Sequence, residues 1–154
     1  MRLSRNFLLK EFVKSATAKR FNIDNTPNST HVKRLKVLCE KVLQPARNHF
    51  ELLYGKGGSF IKITSGYRCK ELTLKLGSTT SSFHYFGYAA DCELYLLDNT
   101  NNKWFEANNL LFDYIKNSLP FTELIWEYGN GEQPDWVHVA YNPDDERSMI
   151  KTIS

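Results

Sequence analysis

GYAADCELYL, residues 87–96, decides how this chain is built. Its even positions, Ala90, Cys92, Leu94 and Leu96, are apolar, while Gly87, Ala89, Asp91 and Glu93 alternate with them. A period of two is that of a strand with one face in a core and the other open. Asp91 therefore stands on the open face. WVHVAY, residues 136–141, repeats the pattern, with Val137 and Val139 on one side and Trp136, His138 and Ala140 on the other. Two strands of one sheet would thus present Asp91 and His138 to the same space.

Working outward, residues 60–64 alternate well enough for another strand. Residues 124–128 pair with 136–141 as a hairpin whose loop holds Gly129, Gly131 and Pro134. Helical spacing occupies the rest. Residues 8–19 read as a helix, and a turn from Asn22 to Pro27 leads into a longer one, with Thr26 as N-cap and Pro27 in its first position. Val32, Leu35, Leu38, Cys39, Val42, Leu43, Ala46, Phe50 and Leu53 form its buried stripe, and Pro45 is expected to kink it. A short helix is expected at 69–76. Another spans 105–118, burying Leu110, Leu111, Tyr114 and Ile115 and stopping before Pro120. The polar tail, 142–154, is expected to be only partly ordered. The fold class is α+β: one domain over residues 1–154, a small antiparallel sheet flanked by helices.

A chain of 154 residues with 42% hydrophobic and 14% aromatic content can bury a sizeable core without disulfides. Cys39, Cys69 and Cys92 are odd in number and far apart, so they read as buried thiols rather than a disulfide framework or a zinc knuckle. No apolar run approaches the length of a membrane span. The start, MRLSRNFLLKEF, loses its apolar character at Lys10 and Glu11. It does not resemble a secretory leader, so synthesis in the cytoplasm without an encoded export route is expected. The net charge of +3 favours anionic surfaces only mildly. His31, Lys33, Arg34, Lys36 and Lys41 fall on the outward side of one helix, a solvated face rather than a binding stripe. With no compact basic motif or aromatic platform, nucleic-acid binding is not expected.

Chemistry concentrates in SFHYFGYAAD (82–91) and PDWVHV (134–139). A hydrolytic zinc site keeps three protein ligands and an open position for water. His84, Asp91 and His138 supply such a set, with a reversal at Phe86 and Gly87 bringing His84 back over the strand. Asp135, three residues before His138, is the candidate general base. Arg68, in the turn after the first strand, is placed to stabilise a developing oxyanion. Trp136 beside His138 is a candidate substrate contact. Each has an ordinary alternative: Asp91 and Asp135 as turn residues, Arg68 as an ion-pair partner, His138 as a hydrogen-bonded strand residue. His31 and His49 have no acidic neighbour at ligand spacing and are set aside.

SGYRCKEL (65–72), SSFHYFGYAAD (81–91) and DWVHVAY (135–141) resemble the motifs of the M15 zinc peptidases: S-G-Y-R, then S-x-H-x-x-G-x-A-x-D, then a carboxylate shortly before W/x-H. That family includes D-Ala-D-Ala carboxypeptidases, dipeptidases of vancomycin resistance and phage endolysins, and its fold is similar to the hedgehog signalling domain. NFLLKEFVKSATAKRFNIDNTP (6–27) and VLQPAR (42–47) resemble its small single-domain bacterial and phage members. The resemblance implies Zn2+ held by His84, Asp91 and His138, Asp135 as base, Arg68 at the scissile carbonyl and Ser82 in contact with substrate. Three departures stand out: Phe83 where many relatives are polar or basic, KLGSTTSS (75–82) in place of a glycine-rich loop, and aspartate where some members have glutamate as base.

The function so implied is zinc-dependent hydrolysis of peptidoglycan stem peptides or cross-bridges, as a carboxypeptidase or an endolysin-type endopeptidase. The partner is the peptide of the cell wall, with no nucleic acid and no membrane insertion, and the protein is taken as a monomer. Lacking a leader, it would reach the wall by lysis, a pore-forming partner or virion delivery. The alternative is a non-catalytic module of the same fold that keeps zinc for shape.

Overall fold

The computed structural model describes residues 1–154. Its centre is the long strand anticipated from GYAADCELYL, β2 (Ala89–Asp98), numbered after β1 (Ser59–Ser65). Ala90, Cys92, Leu94 and Leu96 are fully buried, as the alternation requires. β1 pairs antiparallel with β2 along one edge. Along the other edge β2 pairs first with β5 (Trp136–Ala140) and farther on with β3 (Lys103–Glu106). β4 (Glu123–Glu127) forms a hairpin with β5, and β6 (Met149–Ile153) runs parallel to β4 at the sheet's edge.

The sheet is therefore mixed, not purely antiparallel. The tail expected to be loose forms β6, whose backbone completes the outer edge of β4. Its side chains are mostly exposed, so it carries no apolar alternation by which a strand is recognised. β3 escaped reading for the same reason: all four of its residues are exposed.

The helices cover the other face. The stretch read as one helix at 8–19 is two, α1 (Leu9–Val13) and α2 (Ala16–Arg20), split where Ser15 leaves the helix and caps the second by accepting the Ala18 N–H. α3 (Ser29–Leu38) starts two residues later than expected. Asn28 is its N-cap, accepting the His31 N–H at 3.0 Å, while Thr26 is held by Asp24 instead. α4 (Gln44–Tyr54) continues from α3 through a wider π-helical turn, Cys39–Leu43. Pro45 explains it: proline has no N–H to give and its ring crowds the carbonyl four residues back, and the widened turn just upstream relieves both. The irregularity expected at Pro45 thus precedes it, and Pro45 itself sits in the first turn of α4.

α5 (Lys70–Lys75) and the single turn α6 (Phe83–Phe86) lie between β1 and β2. α7 (Asn108–Ser118) is shorter than the expected 105–118 because β3 takes the first residues. It buries Leu111, Phe112 and Ile115, while Leu110 is exposed. Asn108 is fully buried. It accepts the Leu94 N–H and donates to the carbonyls of Pro134 and Asp135, tying the start of α7 to β2 and to the hairpin loop. A core of 24 residues fills the space between the helices and this side of the sheet. The opposite side carries Asp91, Ile125 and His138. No helix is long and apolar enough to cross a membrane.

Candidate metal centre

Asp91 and His138 are directly opposed in the β2–β5 ladder, so their side chains leave the same face together. His84 arrives from α6. Ser82 caps that turn by accepting the His84 N–H, and Gly87 closes it in the left-handed region at φ 80°. A Cβ at Gly87 would also press on His31, with its nearest atoms at 3.0–3.2 Å, so the position favours glycine twice over. The chain then reverses into β2, as the sequence led us to expect.

The result is a buried trio. His84 Nε2 lies 3.3 Å and His138 Nδ1 3.1 Å from the same Asp91 oxygen, Oδ1. One ligand atom from each residue falls within 4.8 Å of the others. Ligands about 2 Å from a tetrahedral ion stand roughly 3.3 Å apart, so these spacings suit a single small divalent metal.

The surroundings fix which atoms face inward. His84 Nδ1 is 2.7 Å from the Gly66 carbonyl, which assigns the proton to Nδ1 and leaves the Nε2 lone pair for the cluster. Gly66 can approach because it lacks a side chain; a Cβ there would meet the Phe12 backbone at 2.6–2.7 Å. His138 Nε2 faces Glu123 Oε1 at 3.0 Å, a charge contact too bent for a formed hydrogen bond. Lys151 from β6 reaches Glu123 Oε2, also at 3.0 Å. On the far side Arg68 donates to Asp91 Oδ2 at 3.2 Å and twice to Ser65 Oγ. A register shift between Ile63 and Ser65 sets Ser65 beside Asp91. The turn itself is pinned by Asn25, which donates to the Tyr67 carbonyl and accepts the Cys69 N–H.

Charge follows from this geometry. Burial pushes the Asp91 carboxyl up, but the two imidazoles outweigh it and hold the group far below the usual carboxylate range. Burial pushes His84 down and keeps it neutral, the state of a metal ligand. Burial also disfavours charge on His138, yet Asp91 and Glu123 prevail and raise it to about 9. Glu123, held chiefly by His138 and also by Lys151, is depressed to about 2. In the metal-free chain the cluster therefore carries one proton at neutral pH that an incoming cation would displace.

Of the residues singled out from sequence, His84, Asp91, His138 and Arg68 come together. Ser82 acts as the cap beneath His84 and also borders an open cleft of about 680 Å³ above His138. Trp136 stands on the cluster's side of the sheet against Tyr128, their rings 5.2 Å apart, with its indole N–H buried and unpaired. Asp135 does not join them. The backbone bends there before β5 begins, and its side chain is exposed at a different cleft, bordered by Trp126, Tyr128 and the β6 end. Three contributors went unnoticed in the sequence: Ser65, the Gly66 carbonyl and Glu123. The first two were visible within S-G-Y-R. Glu123 had no signal except its parity with Ile125 and His138 across the hairpin.

No curated protein matches the chain. The family model described as Peptidase M15 matches residues 5–140, which contain every residue of the trio and most of the sheet. With this match over most of its length and a His-Asp-His cluster that fits the metal dependence general to these enzymes, the chain belongs to the peptidase M15 family.

Proposed function

We propose that this protein is a zinc-dependent peptidase that hydrolyses amide bonds in the stem peptides or cross-bridges of peptidoglycan. The observation that carries the reading is the buried convergence of His84 Nε2, Asp91 Oδ1 and His138 Nδ1 in a chain of this family. Two imidazoles and one carboxylate are a donor set that suits Zn2+ and leaves a position free. When bound, the metal would supply Lewis acidity and lower the pKa of a water molecule.

The rest of the work falls to the chain. Arg68, itself anchored by Ser65, holds the second oxygen of Asp91 away from the trio's centre, and Gly66 and Glu123 set the two imidazole rings. Arg68, a permanent cation beside the cluster, is suited to a carbonyl oxygen that gains negative charge during attack. The cleft over His138 is bordered by Arg34, Arg147 and Lys151, with Glu123 as its one acid. Cell-wall stem peptides carry free carboxylates, and that excess of positive charge supports an acidic peptide as substrate.

The test is digestion of purified muropeptides by the zinc-loaded protein, followed by mass spectrometry. New amino termini are expected, lost on chelation and regained with zinc. Zinc bound at one ion per chain without cleavage of any muropeptide would instead make the protein a non-catalytic module.

A further inference from the structure

The open face of the sheet continues beyond the metal centre. Along β2, Asp91 is followed on that face by Glu93, Tyr95 and Leu97, while Cys92, Leu94 and Leu96 are buried in the core. Phe60 of β1 is directly opposed to Tyr95, and Trp104 of β3 to Leu97. Three aromatic rings therefore meet on the metal side of the sheet. Phe60 stacks on Tyr95 with centroids 4.9 Å apart and planes 12° from parallel, and Trp104 stands 4.9 Å from Phe60 at 66°. No run of sequence announces this patch, because each ring comes from a different strand.

Water reaches these rings. Phe60 is 38% and Trp104 46% exposed, and the angle between them means that Phe60 does not lie flat over the indole. Large apolar rings gathered in the open mark a surface that takes a ligand. The polar groups beside them narrow its chemistry. Tyr95 Oη lies 2.7 Å from Glu93 Oε2 and 3.0 Å from Glu106 Oε1. A phenol has one proton to give, so two carboxylates around it keep acceptor oxygens to spare. Hydroxyl and amide N–H groups of a ligand would meet them, whereas phosphates would be repelled, which sets a nucleic acid aside. The negative faces of aromatic rings attract weakly positive C–H bonds. A molecule with C–H faces, hydroxyl rims and amide groups is an N-acetylated sugar.

We propose that Phe60, Tyr95 and Trp104, with Glu93 and Glu106, form a binding surface for the N-acetylhexosamine strand of the cell wall. The inference rests on the peptidase reading above, and the layout of β2 supports it. Asp91 and Tyr95 are four residues apart on one strand, roughly 13 Å at the usual rise. About four residues of an extended peptide cover that span. A stem peptide hangs from the sugar strand by its first residue, so a strand seated on the rings brings the first few peptide bonds within reach of the trio.

The probe is chitotetraose, a neutral N-acetylglucosamine tetramer without peptide, titrated into the metal-free and the zinc-loaded protein and followed through the indole N–H signals in NMR. The Trp104 signal should shift while those of Trp126 and Trp136 stay in place, with the same Kd in both forms, because the sugar touches none of the three donors. Trp104→Ala should weaken binding by about 10-fold or more and Trp104→Phe by no more than a few-fold. Both variants should cleave sugar-free stem peptides as the parent does, while Trp104→Ala releases peptide from intact sacculi about 10-fold more slowly. No movement of the Trp104 signal at millimolar sugar, or equal binding by Trp104→Ala, would overturn the assignment. So would a dimer that Trp104→Ala dissolves, or a Trp104 shift produced by single-stranded DNA and not by sugar. Sugar binding without cleavage of any peptide would leave this surface standing and sink the peptidase reading; cleavage of free peptides without sugar binding would do the reverse.

Discussion

Residue by residue, the centre is set by groups that touch its three donors. Glu123 is the clearest case. It is the one acid facing His138 Nε2, and it is itself held by Lys151. Glu123→Gln should weaken zinc binding by about 10- to 100-fold, read by competition with a chromophoric chelator, because partners behind a metal-bound imidazole set its orientation and basicity. The same substitution should lower the pKa of His138 in the metal-free protein, since one of the two charges that raise it is gone. The trio was legible in the sequence because each member lies in a short segment with an unambiguous period or turn. Asp135 lies outside the buried trio for a physical reason: the backbone bends at this residue just before β5 begins and leaves its side chain exposed. Glu127, the last residue of β4, stands eight residues before Asp135 yet shares the trio's face, because a hairpin folds that distance back on itself.

Among the elements, strands with a buried face could be read and those without could not. β2 and β5 announce themselves through alternation, whereas β3 and β6 are pairing partners recruited by an open edge. β6 is the more consequential. It shields the outer backbone of β4 and brings Lys151 to Glu123. Ending the chain after Ser148 should cost about 2 kcal/mol, a fall of about 6 °C in Tm by calorimetry. One zinc per chain should remain, because His84, Asp91 and His138 sit on other elements. The helices were readable in number better than in detail. Ser15, Asn28 and Pro45 each redirect the backbone through a local hydrogen bond or its absence, an effect that apolar spacing does not encode.

For the molecule as a whole, protons and metal compete for one buried place. His138 has its proton affinity raised by folding, so in the metal-free protein it contributes stability that is fully present below pH 6.5 and lost as pH rises through about 9. The metal-bound form has surrendered that proton and gains affinity over the same interval. The difference in Tm between zinc-loaded and chelated protein should therefore widen from pH 6.5 to 9, measured by scanning calorimetry at fixed free zinc. A difference that narrowed with pH would mean that His138 is neutral in the empty fold.

The span shared with the family ends at Ala140, yet Asn142, Arg147, Met149 and Lys151 border the cleft above His138. The rim of that cleft is thus completed by a stretch of polypeptide that supplies none of the three donors. Exchanging residues at the carboxyl end while keeping Lys151 beside Glu123 is expected to alter what the cleft admits and to leave the three donors in place.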